Sequence, residues 1–142
     1  VTVVTTRSRS GEPIGITVNS FTSVSLDPPL LLFCPAKSSR SHDEFIEATA
    51  FAVNVLHIGQ QPTSTLFASR NGDRFSDVPW ETWTLNVPLL IEASASFECR
   101  RHAVHDAGDH SIVIGEVVRA RFEPWRDPLI YFRGKYRRLH FD

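Results

Sequence analysis

The 142 residues include no methionine and only two cysteines, Cys34 and Cys99. Neither has CxxC spacing and each lies in an apolar run, so both are expected as buried, reduced thiols rather than as a disulfide framework. No apolar run reaches the ~18–20 residues that span a bilayer, and the N-terminus lacks the charged and apolar regions of a signal peptide. A soluble, cytoplasmic protein with no membrane partner is expected. An excess of either charge is missing too. Lysine and arginine number 15 against 16 aspartates and glutamates, so no overall field draws the chain to nucleic acid. The basic knot Arg133, Lys135, Arg137 and Arg138 is too local to support an RNA-binding reading. Also absent are GxGxxG after a strand, GxxxxGK[ST], GxSxG and HExxH, which removes a Rossmann dinucleotide domain and the commonest hydrolase and zinc-protease sites. With no internal repeat, low-complexity tract or linker, residues 1–142 read as a single domain.

What is present is a series of short β-like runs separated by turn signals, which points to a mainly β barrel or sandwich rather than to alternating βαβ units. The pattern predicts strands at 1–6, 14–20, 23–25, 30–35, 51–56, 93–104, 111–122 and 129–133. Helices are predicted at His42–Thr49, behind a Ser41/Glu44 capping box, and at Gln61–Ser69, opening near Pro62. Residues 71–90, with two prolines and Gly72, read as a long loop, a length that in a compact domain is usually functional or packed over something. Asn54, inside the apolar strand FAVNVL, needs a buried partner, for which backbone is the favoured choice.

The densest chemistry lies between Thr17 and His42. From Ile16 to Leu26 no residue is charged, yet Thr17, Asn19, Ser20, Thr22, Ser23 and Ser25 offer donors and acceptors between the apolar Val18, Phe21 and Val24. Such a mixture suits a planar, largely apolar ring edged with carbonyls and ring nitrogens, such as an isoalloxazine. Asp27-Pro28-Pro29 forces a turn. After the apolar strand Leu30–Cys34, the segment Ala36-Lys37-Ser38-Ser39-Arg40-Ser41 gathers hydroxyls and cations in a compact loop where a phosphate can sit, aided by the N–H groups of the helix expected to start there. A plain helix cap with solvated cations is the alternative. Further on, His102, His105, Asp106, Asp109 and His110 crowd one apparent hairpin. His102 and His105 are an odd number apart, so on a strand they face opposite ways and one metal ion cannot easily take both; no metal site is expected. Asp106–Asp109 makes the turn and His110 opens the returning strand.

Taken in order, NSFTSVSLDPPLLLFCPAKSSRSH, FAVNVL, DRFSDVPW, FECR, GDHSIVIGEV and DPLIYFRGKYRRL resemble the flavin reductase-like FMN-binding family, which includes reductase components of two-component flavin monooxygenases. The resemblance implies a split β-barrel with short helices that binds FMN, or alternatively FAD, usually as a homodimer, and passes hydride from NADH or NADPH to the flavin. It implies flavin contacts from Thr17, Asn19, Ser20, Ser23, Val24 and Ser25, from Ala36, Lys37, Ser38, Ser39 and Ser41 around the phosphate, and from Phe75 in the DRF segment, where Trp80 is a second possible lid. It further implies that His110, in the GDH triplet, lies at the flavin and the incoming nicotinamide as the catalytic histidine, and that Arg133 and Tyr136 hold the nicotinamide nucleotide. A separate monooxygenase component is the implied recipient of reduced flavin. Two other readings remain open: a non-enzymatic FMN-binding or sensor module, and a split-barrel FMN oxidoreductase of the pyridoxamine-phosphate-oxidase type acting on another substrate. Relatives carry a helix and a Phe- and Gly-containing segment ahead of the first strand; the chain begins inside that strand, so it reads as a trimmed piece.

Overall fold

A computed structural model describes residues 1–69 and 73–141. The strands β1 (Thr2–Arg7), β2 (Pro13–Val18), β3 (Thr22–Leu26), β4 (Pro29–Phe33), β5 (Ala50–Val55), β8 (Ala95–Ala107) and β9 (His110–Phe122) form one antiparallel sheet in the order β2-β1-β5-β8-β9-β4-β3. Its two outermost strands, β2 and β3, are consecutive in the chain, separated only by Asn19, Ser20 and Phe21. A flat sheet of seven strands spaced ~4.8 Å apart would hold those edges ~29 Å from each other, whereas the connection reaches at most ~14 Å. The sheet must therefore roll up. It becomes a barrel whose seam, between β2 and β3, is not hydrogen-bonded: a split β-barrel, mainly β as the sequence predicts. Ser20 pins the connection, its Oγ accepting from the Cys34 N–H at 3.0 Å and donating to the Cys34 carbonyl at 3.2 Å.

The barrel interior is filled by Val4, Leu31, Phe33, Phe51, Val53, Cys99 and Val113, closed by Phe45 of helix α1 (His42–Glu47). Phe33 meets Phe51 and Phe45 at centroid distances of 5.0 and 5.7 Å. Gly115 faces the Phe51 ring so closely that a Cβ there would overlap it. Burial pushes the Cys99 thiol up to about 12, the neighbouring Glu98 charge adding to the effect. Both cysteines are free thiols, but Cys34 is only partly buried, which corrects the expectation of two fully buried ones. Because side chains alternate along β1, Val3 faces the other side from Val4. There it packs with Leu56, Leu90, and Phe67 of helix α2 (Gln61–Ala68) in a second core outside the barrel.

The segment read as one long loop carries the strand pair β6 (Trp80–Thr82) and β7 (Pro88–Leu90); residues 70–72 lie outside the described part. Asn54 holds this pair down. Its amide donates to the Val3 carbonyl and Thr5 Oγ1 at 3.0 and 3.2 Å, while its Oδ1 accepts from the Leu90 N–H at 2.9 Å and Ser96 Oγ at 3.0 Å. Glu98, fully buried, accepts from the Thr84 and Leu85 N–H groups at 3.3 and 2.7 Å. The C-terminal strands β10 (Ile130–Phe132) and β11 (Lys135–Arg137) form a separate hairpin turning on Arg133 and Gly134, at φ 55° and 74°, the pattern of a type I′ turn.

Element ends otherwise differ from the sequence reading by up to three residues, except that β11 was not foreseen as a strand. One local reading is overturned. Ser41 makes no side-chain capping bond to α1; Glu44, instead of reaching back to Ser41, accepts from the Arg9 N–H at 3.0 Å and pairs with the Arg9 guanidinium at 3.8 Å. A tertiary ion pair outcompetes the local box, and α1, six residues long, is too short to lend the loop much helix field. No helix among the described residues is long and apolar enough to cross a membrane.

Candidate functional site

Beyond β4 the chain leaves the sheet as a loop tacked along the start of β9. Ala36 bridges His110, the Lys37 N–H donates to the Asp109 carbonyl at 2.9 Å, and the Ser111 N–H donates to the Pro35 carbonyl at 3.0 Å. On the other side of β2, Thr17 Oγ1 donates to the Ser64 carbonyl at 2.7 Å, which fixes α2 against the free edge of β2. Ser64 Oγ in turn shares a 2.7 Å hydrogen bond with the Tyr136 hydroxyl. Between loop, β2 edge and the C-terminal turn of α2 lies a groove of about 400 Å³.

The structure brings together Thr17, Ala36, Ser38, Ser39 and Ser41 of the residues singled out in the sequence, and all five line this groove. Among the described residues, the β2 edge beside them pairs with β1 only, so its outer backbone N–H and C=O groups have no ladder partner there. Lys37 is not among the lining residues: its ammonium pairs with the Asp106 carboxylate on β8. The cations that do line the groove are Arg40, one of the two cations of the loop where a phosphate is expected, and Arg74 of the DRF segment. Arg40 is exposed and has no hydrogen bond or ion pair among the described residues. Arg74 reaches across, donating to the carbonyls of Gly15 (2.8 Å), Phe67 (3.1 Å) and Ser69. It thereby joins β2 to the end of α2, and burial lowers its pKa.

The other sequence-selected residues are placed differently. Asn19, Ser23 and Val24 are exposed and Ser25 half-buried, on or beside β3, the opposite lip of the seam; they and Ser20 do not line the groove. Phe75 is 6% exposed, wedged between Phe67 and Trp80 at 5.0 and 5.7 Å, so both aromatics form a wall and not a lid. His110 opens β9 one residue past the Gly108-Asp109 turn, beside Ala36 and half-exposed. Its Nδ1 lies 2.7 Å from Asp109 Oδ1, and that hydrogen bond holds the Asp109 carboxyl below its ordinary value. Arg133 stacks on Phe132 at 5.2 Å in the C-terminal hairpin, and the Tyr136 hydroxyl is taken by Ser64. His102 and His105 are both exposed on β8, where a bulge between Arg101 and Ala103 breaks the alternation assumed for them.

One buried residue was missed. His42 places Nε2 2.8 Å from Ser111 Oγ and Nδ1 2.8 Å from Asp43 Oδ1, tying the end of the serine loop to the strand that carries His110. Its spacing to Phe45, i to i+3 on one helix face, was the available signal.

A second, larger groove of about 590 Å³ continues from the first, sharing Arg40, Ser41 and Arg74 with it and running on past Gly15, Phe75, Glu12 and Asp73.

A barrel left open along one seam, with a hydroxyl-rich, cation-flanked groove at its free edge, is the architecture of a class of flavin-binding oxidoreductase barrels. Residues 1–140 match the family model described as flavin reductase like domain, and the chain belongs to that family. It is 53% identical over 139 residues to the FMN reductase (NADH) SmoA of Agrobacterium fabrum, covering 98% of this chain and 78% of that protein. It is 44% identical to the reductase component of the flavin-dependent trigonelline monooxygenase of Acinetobacter baylyi, covering 96% of this chain but only 44% of that longer protein. Among solved structures, the NADH:FAD oxidoreductase SgcE6 of Streptomyces globisporus, in complex with NAD and FAD fragments, superposes with a TM-score of 0.92 at 40% identity, covering 99% of this chain and 85% of that one.

Proposed function

We propose that residues 1–142 are one catalytic domain, an NADH-dependent flavin reductase that transfers hydride from NADH to FMN or FAD. The observation that carries this reading is the groove at the free edge of β2. It sets four hydroxyls (Thr17, Ser38, Ser39 and Ser41) and two guanidinium groups beside a strand edge that has no ladder partner among the described residues. The donor set fits a flavin mononucleotide at both ends: hydroxyls and cations for the phosphate, and neutral directional groups with apolar surface for the ring. The redox chemistry is supplied by the nicotinamide and isoalloxazine rings when both are bound, so the chain needs no strong acid or base.

Its own residues bind and orient. Ser38, Ser39 and Ser41 donate to the phosphate and Arg40 neutralises it, with Ala36 beneath. The β2 edge at Thr17 and Val18 lies along the ring, with Asn19, Ser20, Ser23, Val24 and Ser25 as the facing lip across the seam. His110, beside Ala36, stands where the nicotinamide enters, and Tyr136 acts through Ser64 by fixing α2, whose last turn walls the groove. Preorganised N–H and O–H donors at the ring edge favour the negative charge that develops there on reduction.

A homodimer belongs to this reading, because Val24 and Leu26 on the edge strand β3 are 47% and 94% exposed and a lone barrel leaves the seam open to water. So does a separate monooxygenase that consumes the reduced flavin, as the names of several relatives state for those proteins, and a place in the cytoplasm, where NADH is available. The test is anaerobic mixing of flavin-loaded protein with NADH. Rapid loss of the yellow absorbance is expected; a bound flavin that NADH does not bleach would overturn the reductase assignment.

A further inference from the structure

The loop that ends at His42 is fastened at both ends to one residue. At its start the Ser111 N–H donates to the Pro35 carbonyl at 3.0 Å, and at its end Ser111 Oγ lies 2.8 Å from His42 Nε2. Ser111 and His42 are 4% and 8% exposed, so this second clasp is shielded from water and costly to leave half-made. Asp43 sets its polarity. As a carboxylate 2.8 Å from His42 Nδ1, it can only accept, so the ring carries a proton on Nδ1 and, when neutral, offers Nε2 to the Ser111 hydroxyl. The order Asp43, His42, Ser111 is that of an acyl-transfer triad, but Ser111 is not among the residues lining either groove. Its buried hydroxyl has no substrate within reach.

What the clasp governs is the loop between its ends, and the path runs through Ser39. The His42 N–H donates to the Ser39 carbonyl at 3.2 Å, and the Ser39 N–H donates to the Ala36 carbonyl at 3.0 Å. Ser39 Oγ accepts from the Ser41 N–H at 3.4 Å. With that oxygen engaged as an acceptor, the Ser39 proton is left to donate into the groove that Ser38, Ser39 and Ser41 line together.

We infer that His42 and Ser111 are positioning residues for the flavin phosphate: their buried hydrogen bond, oriented by Asp43, holds the serine loop in the shape in which its hydroxyls converge on the phosphate. This rests on the flavin-reductase reading and on the phosphate lying in this loop. The ring is proposed to bind elsewhere, along the β2 edge at Thr17 and Val18, so loss of the clasp falls on the phosphate and not on the ring.

FMN and riboflavin differ only in the phosphate, and their dissociation constants are measured by calorimetry for the native protein, His42→Ala, Ser111→Ala and the double variant. Ser111→Ala keeps the backbone bond to Pro35 and removes only the hydroxyl. In each single variant FMN binding is expected to weaken at least tenfold and riboflavin binding to stay within twofold, the latter also reporting a folded barrel. The double variant should lose no more than the worse single one, because both break the same bond. Equal losses for the two ligands, loss of the fold, additive losses, or unchanged FMN binding would overturn the inference while the flavin site stands. If the native protein holds riboflavin as tightly as FMN, the phosphate placement is refuted and the inference falls with it; if it binds neither, the functional reading itself fails.

Discussion

At the scale of single residues, the groove is lined by short hydroxyl side chains, and Ser38, Ser39 and Ser41 are the ones proposed to donate to a phosphate. A hydrogen bond to a charged group contributes roughly 1.5–3 kcal/mol net. Removing two hydroxyls from a phosphate site therefore costs about 3 kcal/mol or more, on the order of a hundredfold in affinity. Ser38→Ala combined with Ser39→Ala is expected to raise the dissociation constant of FMN at least a hundredfold by calorimetry; an unchanged value would remove the phosphate from this loop. Charge in the loop is divided in a way the sequence does not disclose. Lys37 and Arg40 are three residues apart, yet one is spent on Asp106 and the other faces the groove. Arg40, not Lys37, is the cation whose loss should weaken flavin binding.

At the scale of elements, polar side-chain ties add to the sheet ladders in holding the parts of the fold together. In addition to the β1–β5 and β5–β8 ladders, Asn54 ties β5 to β1, β7 and β8 through four side-chain hydrogen bonds. Truncating it strands the Leu90 N–H and the Ser96 hydroxyl in the core, where each unsatisfied group costs about 1–3 kcal/mol. Asn54→Ala is accordingly expected to lose about 3 kcal/mol of stability in urea melts, with the β6–β7 pair the first part to exchange its amides. The entry to α2 is expected to be pH-sensitive. His57 caps the short 3-10 turn Ile58–Gln60, its Nδ1 accepting from the Gly59 N–H at 3.0 Å, a role open only to the neutral ring. Desolvation first, and then the Arg126 charge, lower its pKa, against an opposing pull from Glu92. With a folded-state value below the unfolded one of ~6.5, this cap contributes fully above that pH, and its contribution is lost as the pH falls below it. Amide exchange at Gly59, corrected for intrinsic rate, should accelerate as the pH falls below about 6.5, and His57→Asn should flatten that dependence.

At the scale of the whole molecule, rolling one sheet until its edges nearly meet leaves a seam that is both the origin of the proposed flavin groove and an unprotected edge. Exposed apolar side chains on an edge strand invite a partner, and β3 with Val24 and Leu26 is the proposed contact of the dimer. The double change Val24→Asp and Leu26→Asp is expected to convert a dimer to a monomer in sedimentation equilibrium and to weaken flavin binding along with it. A native protein that sediments as a monomer would refute the dimer.

The mainly β character, the Asp27-Pro28-Pro29 reversal, the buried pairing of Asn54 and the serine loop were legible because each rests on local chemistry: alternation, fixed proline φ, an amide in an apolar run, a compact set of hydroxyls. The capping box at Ser41, the partners of Lys37 and the bulge at His102 were misread or invisible, because each is decided by a group distant in sequence, respectively Arg9, Asp106 and the register against β9. The sequence by itself determined that short apolar strands must pair and that a hydroxyl-rich turn follows the fourth of them. Only the tertiary structure decided that β2 and β3 approach without bonding, that α2 closes over the free edge, and that two grooves meet at Arg40. Those outcomes depend on the curvature of a seven-stranded sheet, a property of all its strands together that no single segment encodes.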